Sequence, residues 1–158
     1  MYADRDQIGA ALGRIPSGCF ILTAAVGGRA TGVLVSWVQQ AAFEPPSLTV
    51  CLKHGRPVME LIDASGRFLL NVIGQDWAAM FRHFGRGFTL DEDAFSGLRI
   101  EPTEFGPMLR SSISQIGCRV GGRFEIGDHT LYAAEALAAQ LVGEPKPYVH
   151  LRKSGLSY

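Results

Sequence analysis

AAEALAAQLV, residues 133–142, is the stretch on which the fold turns. Alanine, leucine, glutamate and glutamine dominate it, so intrinsic propensity favours a helix. Its context favours a strand. Gly127-Asp128 just upstream is a hairpin dipeptide, and residues 112–126 before it match 129–142 in length. Taken as a strand, the segment completes a strand-rich chain punctuated by turns. Such a chain is mainly β, a sandwich or barrel with two or three added helices.

The flanking sequence repeats that alternation of strand and turn. Residues 19–26 (CFILTAAV) form a strand candidate, Gly27-Gly28 a hairpin signal, and residues 30–40 (ATGVLVSWVQQ) a longer strand. Pro45-Pro46 closes that connection. In residues 47–53 Leu48, Val50 and Leu52 alternate with Ser47, Thr49, Cys51 and Lys53, as in a half-buried strand. Residues 67–73 (RFLLNVI) are almost wholly apolar, the mark of a strand covered on both faces. Three helices are expected. Asp4 caps one that runs to about Arg14, Pro57 opens one that Ser65-Gly66 stops, and residues 75–84 carry Trp77, Met80, Phe81 and Phe84 on one stripe. Residues 85–97 read as a polar, glycine-rich loop, residues 98–110 as short strands at most, and 147–152 as a final strand.

The 158 residues make up a single expected domain, 1–158, and such a length buries enough surface to stand without metal or disulfide. Fifteen basic residues balance fifteen acidic ones, and that absence of basic excess argues against a nucleic-acid partner. Cys19, Cys51 and Cys118 are isolated and odd in number, so they read as small buried residues in a reducing compartment. The N-terminus lacks an apolar signal region, and no apolar run reaches membrane-spanning length. The expectation is a cytoplasmic protein without a membrane partner.

The common catalytic signatures fail. There is no GxSxG, no GxGxxG after a strand and no Walker loop. The four histidines have no metal-ligand spacing, and Asp91-Glu92-Asp93 lacks the pattern of a calcium loop, so no metal site is expected. Two strand ends stand out. Gly32-Val33-Leu34-Val35-Ser36-Trp37 combines a glycine, a hydroxyl and a large aromatic. Lys53-His54-Gly55-Arg56-Pro57 leads from a strand into a helix with two fixed cations, an imidazole and backbone N–H groups, which suits a phosphate.

In order along the chain stand IPSG (15–18), Thr23, TGVLVSW before Pro45-Pro46, LTVCLK, SGRFLLNVI (65–73), DAFSGL (93–98) and GDH (127–129). This ordered set resembles the flavin reductase-like, FMN-binding split-barrel domains. SWVQQAAFEPP (36–46), HFGRGF (83–88) and KPYVHLRKSGLSY (146–158) are similar to the flavin reductase module of diflavin flavoproteins. The resemblance supports the strand reading of 133–142. It implies a six-stranded antiparallel Greek-key barrel and a homodimer with FMN near the interface. It implies NAD(P)H as substrate and leaves FAD open.

The family's flavin-ring strand matches Leu34, Val35, Ser36 and Trp37. Its phosphate and ribityl side matches Cys51, Leu52, Lys53, His54, Arg56 and Pro57, with Lys53 and Arg56 expected to make the charged contacts. Asp128 and His129 match the pair on the nicotinamide side, and His129 is the catalytic candidate. Where the family usually has a glycine after GDH, this chain has Ala134. The function implied is an NAD(P)H:flavin oxidoreductase that passes electrons to free flavin, an oxygenase or another redox protein. Its alternatives are an FMN electron-transfer protein without direct nicotinamide use and a non-enzymatic flavin- or haem-binding module.

Overall fold

The computed structural model describes residues 4–75, 78–144 and 146–156. Trp77, expected on a helical stripe, lies outside them. In chain order the elements are α1 (Arg5–Leu12), β1 (Ser17–Gly18), β2 (Phe20–Val26), β3 (Arg29–Val35), β4 (Val38–Phe43), β5 (Pro46–Lys53), α2 (Val58–Ser65), β6 (Arg67–Val72), α3 (Ala78–Gly85), β7 (Ile100–Glu101), β8 (Met108–Leu109), β9 (Ser114–Ile126), β10 (His129–Leu141) and β11 (Val149–His150).

β10 is a strand. Its first half alternates buried and half-buried residues, with Thr130, Tyr132 and Ala134 inward. It lies between β9 and β5, and these two ladders override the helical propensity of its alanines. The ladder to β5 ends at Glu135↔Ser47. Beyond it Leu137 to Leu141 are exposed, paired with β9 on one side.

The main sheet is antiparallel with the order β3-β2-β6-β9-β10-β5-β4. It has seven strands rather than the six expected, because the run 30–40 breaks at Ser36-Trp37. Before the break the chain pairs with β2; after it, with β5. The expected strand 147–152 shrinks to β11, which pairs with β1 outside this sheet. One core of β2, β3, β5, β6, β9 and β10 side chains fills the curled sheet. α2 adds Val58, Met59, Leu61 and Ile62 to that core. Gly66 ends α2 at φ 67°, a conformation that glycine adopts without strain. Asp4 caps α1 as its sequence suggested, accepting from the Asp6 N–H at 3.0 Å.

Thr23 and Asn71 are structural. The Thr23 hydroxyl donates to the Pro107 carbonyl at 2.7 Å, and Asn71 accepts from the Leu109 N–H at 2.9 Å. The acidic loop ties itself together: Glu92 accepts from the Thr89 N–H at 2.8 Å and pairs with Arg86 at 3.0 Å.

Burial pushes the Cys118 thiol up to about 12. The folded state therefore keeps a proton that the unfolded chain releases above about pH 9, and stability present below that pH is lost as pH rises. This thiol alone is expected to cost about 1.4 kcal/mol per pH unit above that point. Urea midpoints measured between pH 8 and 11 should fall accordingly, and Cys118→Ala should flatten the decline.

Candidate functional site

The two strand ends singled out in the sequence meet at a gap in the barrel. The Cys51 N–H donates to the Trp37 carbonyl at 2.9 Å. From that bond the walls diverge: β3 stays with β2, and β5 stays with β4 and β10. Leu34, Val35, Ser36 and Trp37 line one wall of the resulting cleft, and Cys51, Leu52, Lys53 and Arg56 line the other. Phe84 and Gly85 of α3 complete it. α3 approaches closely because residue 32 is glycine; a Cβ there would stand 2.9 Å from the Phe84 ring.

The innermost cavity is about 100 Å³. Trp37 also lines neighbouring cavities of about 480, 610 and 290 Å³. The largest of these is bounded by His129 and Asp128 on one side and by α1 and residues 155–156 on the other. His129 is only 8% exposed, and its ring centroid lies 4.6 Å from that of Trp37 at a tilt of 37°. Its Nδ1 stands 2.7 Å from the Asp128 carboxylate. That hydrogen bond, with the His129 charge and Lys53 adding to it, holds the Asp128 carboxyl below its ordinary value. Burial raises the Cys51 thiol.

Eight of the ten expected cofactor residues share this cleft, and two do not. The His54 ring sits 2.7 Å from Glu125, and its backbone N–H, expected for a phosphate, donates to the Asp128 carbonyl at 3.0 Å. Pro57 sits at the start of α2 without lining the cleft. Both residues shape the turn that carries Lys53 and Arg56. Sequence reasoning missed Arg152, which donates to the Ser36 hydroxyl and lies 5.4 Å over the Trp37 ring. Arg152 lies within the stretch 146–158 that carries the resemblance, but nothing in that stretch tells that it meets Ser36, 116 residues away along the chain.

Although the chain is neutral, the described residues lining the four cavities include Arg5, Lys53, Arg56 and Arg152 against one carboxylate, Asp128. Placement of charge, rather than its total, gives these cavities an excess of cations, which would suit an anionic ligand. The donor set suits a phosphorylated aromatic ring system: cations, aliphatic and aromatic walls, and the buried, unpaired Ser17 hydroxyl beside Trp37. The inner cavity alone is below the roughly 300–1,000 Å³ of ordinary ligand sites. Such a ligand must extend into the neighbouring cavities.

The family model described as a flavin reductase like domain matches residues 12–155. The chain belongs to this family. It is 33% identical over 159 residues to a putative diflavin flavoprotein A 3 of Nostoc sp., covering 99% of this chain and 27% of that protein. To a namesake from Synechocystis sp. it is 35% identical over 150 residues, covering 94% and 25%. The chain thus spans about a quarter of the length of these curated relatives.

Solved structures agree on the split-barrel fold of this flavin reductase-like domain. The Streptomyces globisporus NADH:FAD oxidoreductase superposes with a TM-score of 0.87 at 18% identity, covering 97% of this chain and 93% of that one. The styrene monooxygenase flavin reductase of Pseudomonas putida gives 0.77 at 24%, covering 90% of each. Among the described residues no helix is long and apolar enough to cross a membrane.

Proposed function

We propose that this domain binds FMN in the β3–β5 cleft and reduces it with NADH or NADPH. The electrons then pass to free flavin, an oxygenase or another redox protein. The observation that carries this reading is the pairing of two features around Trp37. Lys53 and Arg56 line the cleft, and a cavity of about 610 Å³ lies beside Trp37 and His129.

The chain's own groups have distinct tasks. Lys53 and Arg56 pair with the phosphate, and charge-assisted hydrogen bonds of this kind are the strong ones. Leu34, Val35 and Leu52 shield the ring system from water. Asp128 holds the His129 ring in place through Nδ1, beside Trp37 on the nicotinamide side. Bound flavin supplies the redox chemistry by accepting hydride from the nicotinamide, so the protein's part is orientation and electrostatics.

The family match and the flavin chemistry named in the relatives support the reading. The test is direct. The chain, mixed with FMN and freed of excess, should show flavin absorption and consume NAD(P)H when flavin is added. Absence of retained flavin overturns the reading. Retained flavin without NAD(P)H turnover above a buffer control leaves an electron-transfer flavoprotein instead. Comparison of FMN with FAD fixes the preferred form.

Cys51 gives an independent check, since it lines the cleft and two of the neighbouring cavities. It stays protonated near neutrality, so alkylation should be slow at pH 7 and faster at pH 9. FMN should block it, and mass spectrometry of the labelled peptide reads the protection. Assembly as a homodimer belongs to the same reading. Phe43 is 88% exposed at the end of β4, and Leu141 is 76% exposed on the outer edge of β10. Sedimentation should give a dimer, and a monomer that still holds FMN tightly overturns that part.

A further inference from the structure

We propose that Arg152, fixed by the C-terminal segment onto α1, contacts the pyrimidine edge of the flavin together with Ser36 and favours the reduced ring system. The inference rests on the flavin site proposed above.

The segment around Arg152 is held firmly by backbone contacts. The Arg152 N–H donates to the Gly13 carbonyl at 3.3 Å, and the Gly155 N–H donates to the Gly9 carbonyl at 2.6 Å. A Cβ at Gly9 would meet the Ser154 hydroxyl at 2.7 Å, one at Gly13 would meet the Arg152 carbonyl at 2.7 Å, and one at Gly155 would run into Leu12. These glycines let the segment lie directly on the helix. The guanidinium is thereby carried to Ser36 and Trp37, beside the cavity of about 290 Å³.

Arg152 is half-buried, yet it takes part in none of the described ion pairs. A partly desolvated cation without a counter-charge is costly, and an anionic ligand would relieve that cost. Its position says which part of the ligand arrives there. Arg152 reaches the Ser36 hydroxyl and the Trp37 ring, next to the Trp37–Cys51 bond where the walls meet, whereas Lys53 lies two residues, or about 7 Å, beyond Cys51 along β5. Lys53 and Arg56 therefore line the cleft itself, and Arg152 lines the cavity that shares Trp37 with it.

With the phosphate at Lys53 and Arg56, the ring system extends toward Ser36 and Trp37. Its dimethylbenzene edge offers a guanidinium nothing. Its pyrimidine edge offers the acceptors N1 and O2. Hydride transfer breaks the nicotinamide C4–H bond, forms the N5–H bond and leaves one negative charge on the pyrimidine side. A fixed cation there stabilises the product over the starting ring.

The test compares the wild-type chain with Arg152→Met and Arg152→Lys. FMN affinity is measured aerobically and, after dithionite reduction, anaerobically, alongside the midpoint potential of the bound flavin. Arg152→Met should lose at least tenfold more affinity for reduced than for oxidised FMN, a drop of about 30 mV for this two-electron couple. Arg152→Lys, which keeps the charge, should recover most of it. Equal losses in both redox states, or an unchanged potential with a raised KM for NAD(P)H, overturn the proposal; the latter assigns Arg152 to the dinucleotide phosphate. Failure of the wild-type chain to hold flavin defeats the function reading itself, and this inference with it.

Discussion

Replacing Lys53 and Arg56 together by alanine is expected to weaken FMN by about a hundredfold while leaving riboflavin nearly unchanged. Hydrogen bonds to charged groups contribute about 1.5–3 kcal/mol each, and the lower part of that range applies where water reaches the pair. Both side chains line the same wall, and riboflavin lacks the group they would hold. Fluorescence titration with the two ligands separates the cases. Equal losses would mean that these cations serve the ring or the fold instead of the phosphate. Replacing His54 should have a smaller effect on both ligands, because its ring is engaged by Glu125 outside the cleft.

Truncation of Phe84 to alanine should cause a large stability loss. The ring is fully buried, meets Phe88 edge-on at 5.8 Å, and packs against the flat backbone at Gly32 while lining the cleft. Large-to-small changes of this kind cost about 3–5 kcal/mol. At roughly 2–4 °C per kcal/mol for a chain of this size, the melting temperature should fall by about 10 °C. Gly32→Ala should destabilise the wild type, where its methyl meets the ring, and cost much less in the Phe84→Ala background, where it enters the void. Additive losses would show that the two positions are not in contact.

Local chemistry made most of the barrel legible. The alternation of Leu48, Val50 and Leu52, the stop at Gly66 and the glycine hairpins each encode their own conformation in a few residues. The break at Ser36-Trp37 was hidden because nothing in VLVSWVQQ interrupts a strand. The chain changes ladder partner there, and partners are a tertiary fact. The cleft was legible as two separate strand ends, since each carries unusual chemistry. Their meeting was not, because it depends on the β4–β5 ladder, which the Cys51–Trp37 bond carries past the break at Ser36-Trp37. His54 shows the converse limit. Its neighbours face the cleft, yet one residue further along the turn the side chain points to Glu125. The meeting of Arg152 with Ser36 was not legible because it depends on the contact of residues 152–155 with α1.

The alanine-rich β10 owes its conformation to its neighbours. Register shifts at Ala133/Ala134 and Ala136/Ala138 already disturb its alignment with β9. Severed from β5 and β9, the same residues would coil, so a synthetic peptide of 129–142 should show helical circular dichroism. A nascent chain must therefore withhold commitment here until flanking templates have formed, and variants that slow that templating would be prone to trapping with this segment wound the wrong way.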